Sequence, residues 1–326
     1  MSEPSLLLLA PRRATRQIMV GKVPIGGGAP VSVQSMTKTD TRDAEATVQQ
    51  IYAYAAAGCD IVRVSVPTKK AAEAFPEICA RSPIPVVADI HFDYRLALAA
   101  ADAGAACLRI NPGNIGSQDR VRAVVEKAGE KNIPIRIGVN AGSLEKELLE
   151  TFGGATPEAM VASALGHLEL LEKEGFYQTK VSLKASDVIR TVQAYRLLAK
   201  QVDYPLHLGI TEAGTSFGGT IRSSIGLGIL LAEGIGDTIR VSLTGSGEEE
   251  VKVGFEILRN LDLRPGGFRL VSCPSCGRMQ IDLQRVAQEI EAGLRAINDE
   301  NITYAVMGCV VNGPGEARDA DLGVAG

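Results

Sequence analysis

Three cysteines near the C-terminal end have the spacing and setting to hold a metal. Cys273 and Cys276 lie in "SCPSCGR", and Cys309 opens "CVVNGPGE" after an intervening 32 residues. A Cys-x-x-Cys pair between a strand-like run and a helical run puts two thiolates at a helix N-terminus, where the helix dipole stabilises their charge. Two thiolates do not complete a metal site. Cys309 supplies a third, and no histidine follows His207 to make up a Cys₃His zinc site. The nearest candidate for a fourth ligand is Glu316, seven residues beyond Cys309. Three thiolates and one carboxylate suit an iron–sulfur cluster with a weak, exchangeable fourth ligand, with structural zinc as the alternative on spacing alone. Cys59, Cys79 and Cys107 read as small buried hydrophobes.

A second set of reactive side chains recurs along the first 243 residues, on strand-like segments. These are "VSVQSM" (31–36), "IVRVSV" (61–66), "VVADIH" (86–91), "CLRIN" (107–111), "PIRIGVN" (134–140), "KVSLK" (180–184), "LHLGIT" (206–211) and "IRVSL" (239–243). Amphipathic helical patterns separate them, starting near capping residues and ending at glycine. Eight alternations predict a (β/α)₈ TIM-type barrel, an α/β fold. An open doubly wound sheet is less favoured, because no Gly-rich phosphate loop follows the first strand. The glycines of "VPIGGGAPV" (23–31) precede a strand and read as a turn.

Residues two apart on a strand share a face. One face of these strands is apolar. The other carries Arg63, Ser65, Asp89, His91, Arg109, Asn111, Arg136, Asn140, Lys180, Lys184, His207, Thr211, Arg240 and Ser242. Barrel interiors are normally filled by branched aliphatics, and buried unpaired charges are costly. Asp89 and Glu212 can offset two of the six cations, so the remainder calls for an anionic guest with at least two charges. A phosphate or diphosphate fits, because arginine offers paired donors and barrels bind phosphates at the C-terminal ends of their strands.

The rest of the composition narrows the function class. The net charge of -4 over 326 residues gives no global attraction to nucleic acid or to an anionic membrane. The longest early apolar run, Leu6 to Ala10, is too short to span a bilayer or to serve as a secretory core, so a cytoplasmic location with reduced thiols is expected. "LDLRPGG" reads as a linker between a barrel domain, residues 1–262, and a small α/β domain, residues 263–326. In a (β/α)₈ barrel the chain leaves the eighth helix at the floor, opposite the site. A seven-residue linker spans at most about 23 Å. A head-to-tail homodimer, in which one subunit's cysteines cap the other's barrel, is therefore expected.

The segments "VQSMT", "RVSVP", "ADIHFD", "LRINPGN", "IRIGVNAGSL", "SLKASD", "LGITEAG", "IRVSLTG", "SCPSCGR" and "GCVVNGPGE" resemble the bacterial-type 4-hydroxy-3-methylbut-2-en-1-yl diphosphate synthases over residues 12–326. The resemblance implies a barrel that binds 2-C-methyl-D-erythritol 2,4-cyclodiphosphate and a C-terminal domain with a [4Fe-4S] cluster. It implies a two-electron reductive ring opening and dehydration in the non-mevalonate isoprenoid pathway, with flavodoxin or ferredoxin as electron donor. By the same resemblance, Cys273, Cys276, Cys309 and Glu316 are the cluster ligands. Arg63, Arg109, Asn111, Arg136, Asn140, Lys184, Arg240 and Ser242 are substrate-binding residues. Glu212 assists protonation, with Asp89, His91 and His207 as further catalytic candidates. Members usually continue beyond "DADLGVAG", so the cluster domain is expected to be truncated at its C-terminal end.

Overall fold

The computed structural model describes residues 9–279, 281–297, 302–309, 311 and 313–325. The chain divides into two compact units between Leu261 and Asp262, one residue from the expected boundary.

In the first unit a short antiparallel hairpin, β1 (Ile18–Val20) and β2 (Val23–Ile25), precedes eight parallel strands. These are β3 (Ser32–Met36), β4 (Ile61–Ser65), β5 (Val86–Asp89), β6 (Cys107–Ile110), β7 (Ile135–Asn140), β8 (Thr179–Lys184), β9 (His207–Leu208) and β10 (Thr238–Ile239). Hydrogen bonding runs β8-β7-β6-β5-β4-β3-β10-β9, and a parallel bridge between Val181 and Leu206 closes the ring. The barrel is thus the expected (β/α)₈ fold. The glycines of "VPIGGGAPV" follow β2 as a turn in which Gly26, Gly27 and Gly28 all have positive φ.

The last two strands are shorter than their β-branched runs predict. Regular pairing covers two residues in each of β9 and β10, where 206–211 and 239–243 were expected. The shortening follows from a close approach at Gly209, where an added Cβ would sit 2.8 Å from both the Arg240 carbonyl and the Lys184 ammonium nitrogen. The chain gives up ladder hydrogen bonds there and makes room for a large cation.

Helices alternate with the strands and begin at the expected caps. Asp43 caps α1 (Ala44–Ala56), Thr68 caps α2 (Lys69–Arg81) and Asp93 caps α3 (Tyr94–Asp102), each accepting from a backbone N–H of the first turn. A short α4 (Pro112–Ile115) precedes α5 (Gln118–Glu130), and α6 (Lys146–Phe152) precedes α7 (Pro157–Lys173). Then come α8 (Val188–Ala199), α9 (Ser216–Ala232) and α10 (Gly247–Asn260). The hairpin plugs the floor, where Ile18, Val20 and Ile25 bury against the inward-facing Ile61, Val87 and Cys107. Apolar filling is therefore confined to the N-terminal end of the strands, and polar side chains fill the space above.

The second unit is a three-stranded parallel sheet in the order β11 (Arg269–Ser272), β12 (Thr303–Met307), β13 (Leu322–Ala325). Helix α11 (Leu283–Ile297) links β11 to β12, and the short α12 (Gly313–Glu316) lies between β12 and β13. This is the expected βαβ unit, with one further strand on the far side of β12.

Candidate active site

At the C-terminal end of the strands the barrel holds a cavity of about 210 Å³. Arg63, Arg109, Arg136, Lys184 and Arg240 line it from five different strands or strand ends, together with Asp89, His91, Asn140, Ser242, Thr211, Ser182 and Met36. Ten of the residues that alternation places inward thus meet in one hollow. Four of the five cations are buried, Arg136 being 1 % and Lys184 6 % exposed, and Arg240 is partly buried.

Two acids hold this group in place. Asp89 on β5 is buried and pairs with Arg109 at 3.1 Å and with Arg63 at 3.6 Å. Burial would raise its pKa, but the opposing pull of Arg63, Arg109, His91 and Arg136 prevails and holds the carboxyl well below the usual carboxylate range. Asp89 is therefore an ionised anchor and not a proton donor. The second acid is Glu250, in the first turn of α10, and not Glu212 as the sequence reading had it. Glu250 is buried, accepts from Ser35 Oγ (3.0 Å) and from the Leu243 N–H (3.0 Å), and pairs with Lys38 at 3.0 Å and with Arg240 at 3.9 Å. A signal for it existed, since Glu250 falls on the same α10 face as Gly247, Val251, Gly254 and Ile257. An acid on a core-facing stripe needs a buried partner.

The geometry leaves donors free. Arg109 also donates to the Gly138 carbonyl (3.3 Å), and a Cβ at Gly138 would lie 2.3 Å from Arg109 Nε. Arg109 Nε, Arg136 Nε, Arg136 Nη1 and Arg240 Nε are buried and make no hydrogen bond to the described residues. Burial and the neighbouring Arg109 push the Arg136 pKa down to about 10. Buried unpaired donors are expensive, so these are the groups that a multiply charged anion would satisfy.

The remaining expected residues separate. His91 sits at the rim, half-exposed and 3.9 Å from Asp89. His207 lies beneath the cavity, fully buried, with Nε2 3.3 Å from Lys184 Nζ. Burial, then repulsion from Arg136 and Lys184, drives its pKa well below the ordinary imidazole value, which favours the uncharged ring. Asn111 turns its side chain to the Gly113 N–H (3.1 Å) as the cap of α4. Lys180 is buried deeper than the cavity wall, and burial pushes its pKa down to about 8. Glu212 lies in an adjoining hollow of about 460 Å³, which shares Asn140, Lys184 and Thr211 with the cavity and is also lined by Ser143, Ser186 and Arg190. Its backbone is left-handed, with φ 52°, in the turn "TEAG". A pair of the buried His167 with the half-exposed Glu145 at 2.9 Å, unanticipated from the sequence, joins α7 to the loop before α6.

In the second unit the parallel pairing of β11 with β12 brings the two cysteine segments to one sheet edge. Ser272 pairs with Val306, and the Cys273 N–H donates to the Val306 carbonyl at 3.0 Å. Cys309 follows two residues after β12 and is buried, whereas Cys276 is exposed. None of the three is in a disulfide, and all lie within electrostatic range of the Arg278 guanidinium. Hydrogen bonds from the Arg278 backbone and side chain lower the Cys276 pKa, favouring the thiolate. The Gly313 N–H donates to the Cys309 carbonyl (3.2 Å) and starts the α12 turn that ends at Glu316. Among the described residues no three His, Cys, Asp or Glu side chains converge on a single-ion site. The chemistry of the donor set, three thiols outside any disulfide beside one guanidinium, is of the kind that either an iron–sulfur cluster or a single metal ion takes.

Comparison with known proteins agrees with this division. The GcpE TIM-barrel domain model matches residues 15–255, and the GcpE protein C-terminal domain model matches residues 269–326. The chain is 65% identical over 312 residues to the 4-hydroxy-3-methylbut-2-en-1-yl diphosphate synthase (flavodoxin) of Geobacter sulfurreducens, covering 96% of this chain and 88% of the relative. It is 61% identical over 315 residues to the enzyme of the same name from Maridesulfovibrio salexigens, covering 97% and 88%. Among solved structures, a dihydropteroate synthase from Stenotrophomonas maltophilia superposes with a TM-score of 0.55 at 13% identity, covering 76% of this chain and 97% of the other. A truncated 3-deoxy-D-arabino-heptulosonate 7-phosphate synthase from Thermotoga maritima gives 0.51 at 13%, covering 87% and 94%. Those two likenesses speak to the barrel fold alone. With a cation-lined barrel and a three-cysteine sheet edge each matched by its own domain model, the chain belongs to the GcpE family of 4-hydroxy-3-methylbut-2-en-1-yl diphosphate synthases.

Proposed function

We propose that the protein converts 2-C-methyl-D-erythritol 2,4-cyclodiphosphate to (E)-4-hydroxy-3-methylbut-2-enyl diphosphate by reductive ring opening and loss of water, with electrons drawn from flavodoxin. The observation that carries this reading is the imbalance in the barrel: five cations line one cavity, and among the described residues Asp89 and Glu250 are the acids within ion-pair distance of them, reaching three of the five. A cyclic diphosphate brings the missing negative charge and the acceptors that the free nitrogens of Arg109, Arg136 and Arg240 require. The guanidiniums hold the diphosphate while the ring opens, and they stabilise the charge that develops on the phosphate oxygen released from carbon. Ser242 and Asn140 add uncharged hydrogen-bonding groups on the cavity wall. Glu212, in the adjoining hollow, is the group we assign to deliver a proton to the departing oxygen.

Cys273, Cys276 and Cys309, with Glu316 as an exchangeable fourth ligand, would hold a [4Fe-4S] cluster, which supplies one-electron transfers when bound. Arg278 offsets the thiolate charge beside it. We further infer a cytoplasmic enzyme acting as a head-to-tail homodimer, in which each barrel works with its partner's cysteines. No helix among the described residues is long and apolar enough to cross a membrane.

The test is turnover of the cyclodiphosphate by anaerobically iron-loaded protein with reduced flavodoxin, read by ³¹P NMR. Conversion of the two ring phosphorus signals to those of a linear diphosphate is expected, and an unchanged spectrum would refute the assignment. Mixing a Cys273→Ser subunit with an Arg109→Met subunit tests the dimer: restored turnover supports shared sites, and its absence excludes them.

A further inference from the structure

Among the described residues, two of the cavity cations, Arg136 and Lys184, have no ion-paired acid, and of these only the lysine can shed its charge. Asp89 is taken by Arg63 and Arg109, and Glu250 by Lys38, Ser35, the Leu243 N–H and Arg240. The polar contact of Lys184 Nζ within the structure is the Nε2 of His207, at 3.3 Å. The ring's other nitrogen, Nδ1, is buried without a partner. The charged and titratable groups facing Lys184 are Arg136 on β7, Arg109 on β6, Arg63 on β4 and Arg240 after β10, with Asp89 on β5 and His91 across the cavity and Glu212 and Arg190 across the adjoining hollow, neither acid within ion-pair distance. Lys180 lies on its own strand, fully buried and without a hydrogen-bond partner. Packing a sixth full charge against these, with no carboxylate of its own, is the arrangement that a lysine relieves by losing its proton.

We propose that Lys184 is an uncharged amine while the cavity is empty and takes up one proton when a doubly charged phosphate ligand enters, with His207 as the positioning residue whose Nε2 accepts from Nζ in both states. The proposal rests on the reading of this cavity as a diphosphate site. An amine N–H donates to Nε2 as an ammonium does, so the contact survives the change. The amine lone pair, free of any acid, receives the proton from solvent once the anion's charge is beside it. Burial, followed by repulsion from Arg136, Arg240, Arg63 and Arg109, lowers the Lys184 pKa well below the ordinary lysine value, in agreement with this account. A binding pocket that gains charge only on filling avoids part of the cost of holding six cations together when empty.

The experiment is isothermal titration calorimetry of the whole protein with sulfate, a dianion that does not itself titrate between pH 6 and 9, in buffers of different ionisation enthalpy. Wild type is expected to take up about one proton per sulfate bound, and affinity to fall up to about tenfold per pH unit in the range where only the complex is protonated. Lys184→Arg keeps a charge at all pH values and is expected to bind sulfate with about one proton fewer taken up. Lys180→Met is expected to leave the proton count unchanged. His207→Phe is expected to weaken sulfate binding about tenfold, through loss of an acceptor for a charged donor, and His207→Gln to restore most of it. Equal proton counts in wild type and Lys184→Arg would overturn the proposal while leaving the anion site standing. If Lys184→Arg does not fold, a pH-independent wild-type sulfate affinity overturns it as well. Failure of wild type to bind sulfate at all would remove the anion cavity and the proposal together.

Discussion

The barrel cavity and the cysteine edge solve opposite problems. In the barrel, charge is buried first and balanced within the chain: Asp89 and Glu250 each serve several donors, and the leftover cations wait for a ligand. At the ends of β11 and β12 the thiols form no disulfide, one of them is exposed, and the Arg278 guanidinium lies within electrostatic range of all three. The first region is preorganised by packing before anything binds. The second is a small three-stranded unit, of a size that commonly draws part of its order from a bound metal. Substitutions should therefore act very differently in the two places.

The largest effect belongs to the thiols. Cys273→Ser is expected to lower turnover by a factor on the order of 10³ or more and to reduce bound iron, because a cluster left with two thiolates is not retained. Sulfate binding by the same variant should match wild type. Iron analysis paired with calorimetry checks both halves, and a weakened anion site would contradict the separation drawn here.

Asp89→Asn comes next and falls on stability. Removing the anchor leaves Arg63 and Arg109 buried without compensation, a loss of about 3–5 kcal/mol measurable by urea unfolding of the iron-free protein. The sign of the pH dependence follows from its depressed pKa. A carboxyl whose folded pKa lies below its unfolded value of 3.8 stabilises fully above that value and loses the contribution as pH falls toward the folded one. Wild type should therefore lose stability steeply below about pH 4, and Asp89→Asn should flatten that part of the curve.

Much of this contrast was legible in the sequence. Period-two alternation put Arg63, Asp89, Arg109, Arg136, Lys184 and Arg240 on one face, and the cavity gathers all six. The run of elements around Cys273, Cys276 and Cys309 put the pair after one strand and the third after the returning strand, and β11 and β12 are neighbours in the sheet. What stayed hidden depends on depth. Alternation gives the face of a strand but not the level along the barrel axis, so Lys180 and His207 were grouped with residues that line the cavity although both lie below it. Asn111 was assigned to substrate, whereas its side-chain oxygen caps α4. Glu250 escaped notice because three consecutive glutamates at a helix start read as a dipole-favoured surface, and only α10's periodicity singles one out.

Glu250→Gln sharpens that point. The amide keeps the shape but removes the charge that Lys38 and Arg240 share, for a loss of about 1–3 kcal/mol. A several-fold rise in KM with little change in kcat is expected, because Arg240 loses its anchor while the cysteine edge is untouched. An equal fall in both would mean that Glu250 acts at the reacting atoms.

Gly138→Ala is the smallest change and the most direct test of preorganisation. Every charge remains, and the added methyl meets Arg109 Nε at 2.3 Å, too close to be tolerated without movement. β7 is buried on both faces, so the strand resists displacement, and the guanidinium must swing out of its contact with the Gly138 carbonyl. Because the flexible partner does the moving, the stability loss should fall near the low end for overpacking, about 1 kcal/mol. The functional loss should be disproportionate. If the cavity works only by total charge, sulfate affinity will be unchanged. If it works by fixed donors, affinity should drop by about an order of magnitude while the unfolding midpoint barely moves, and that pairing is the outcome expected.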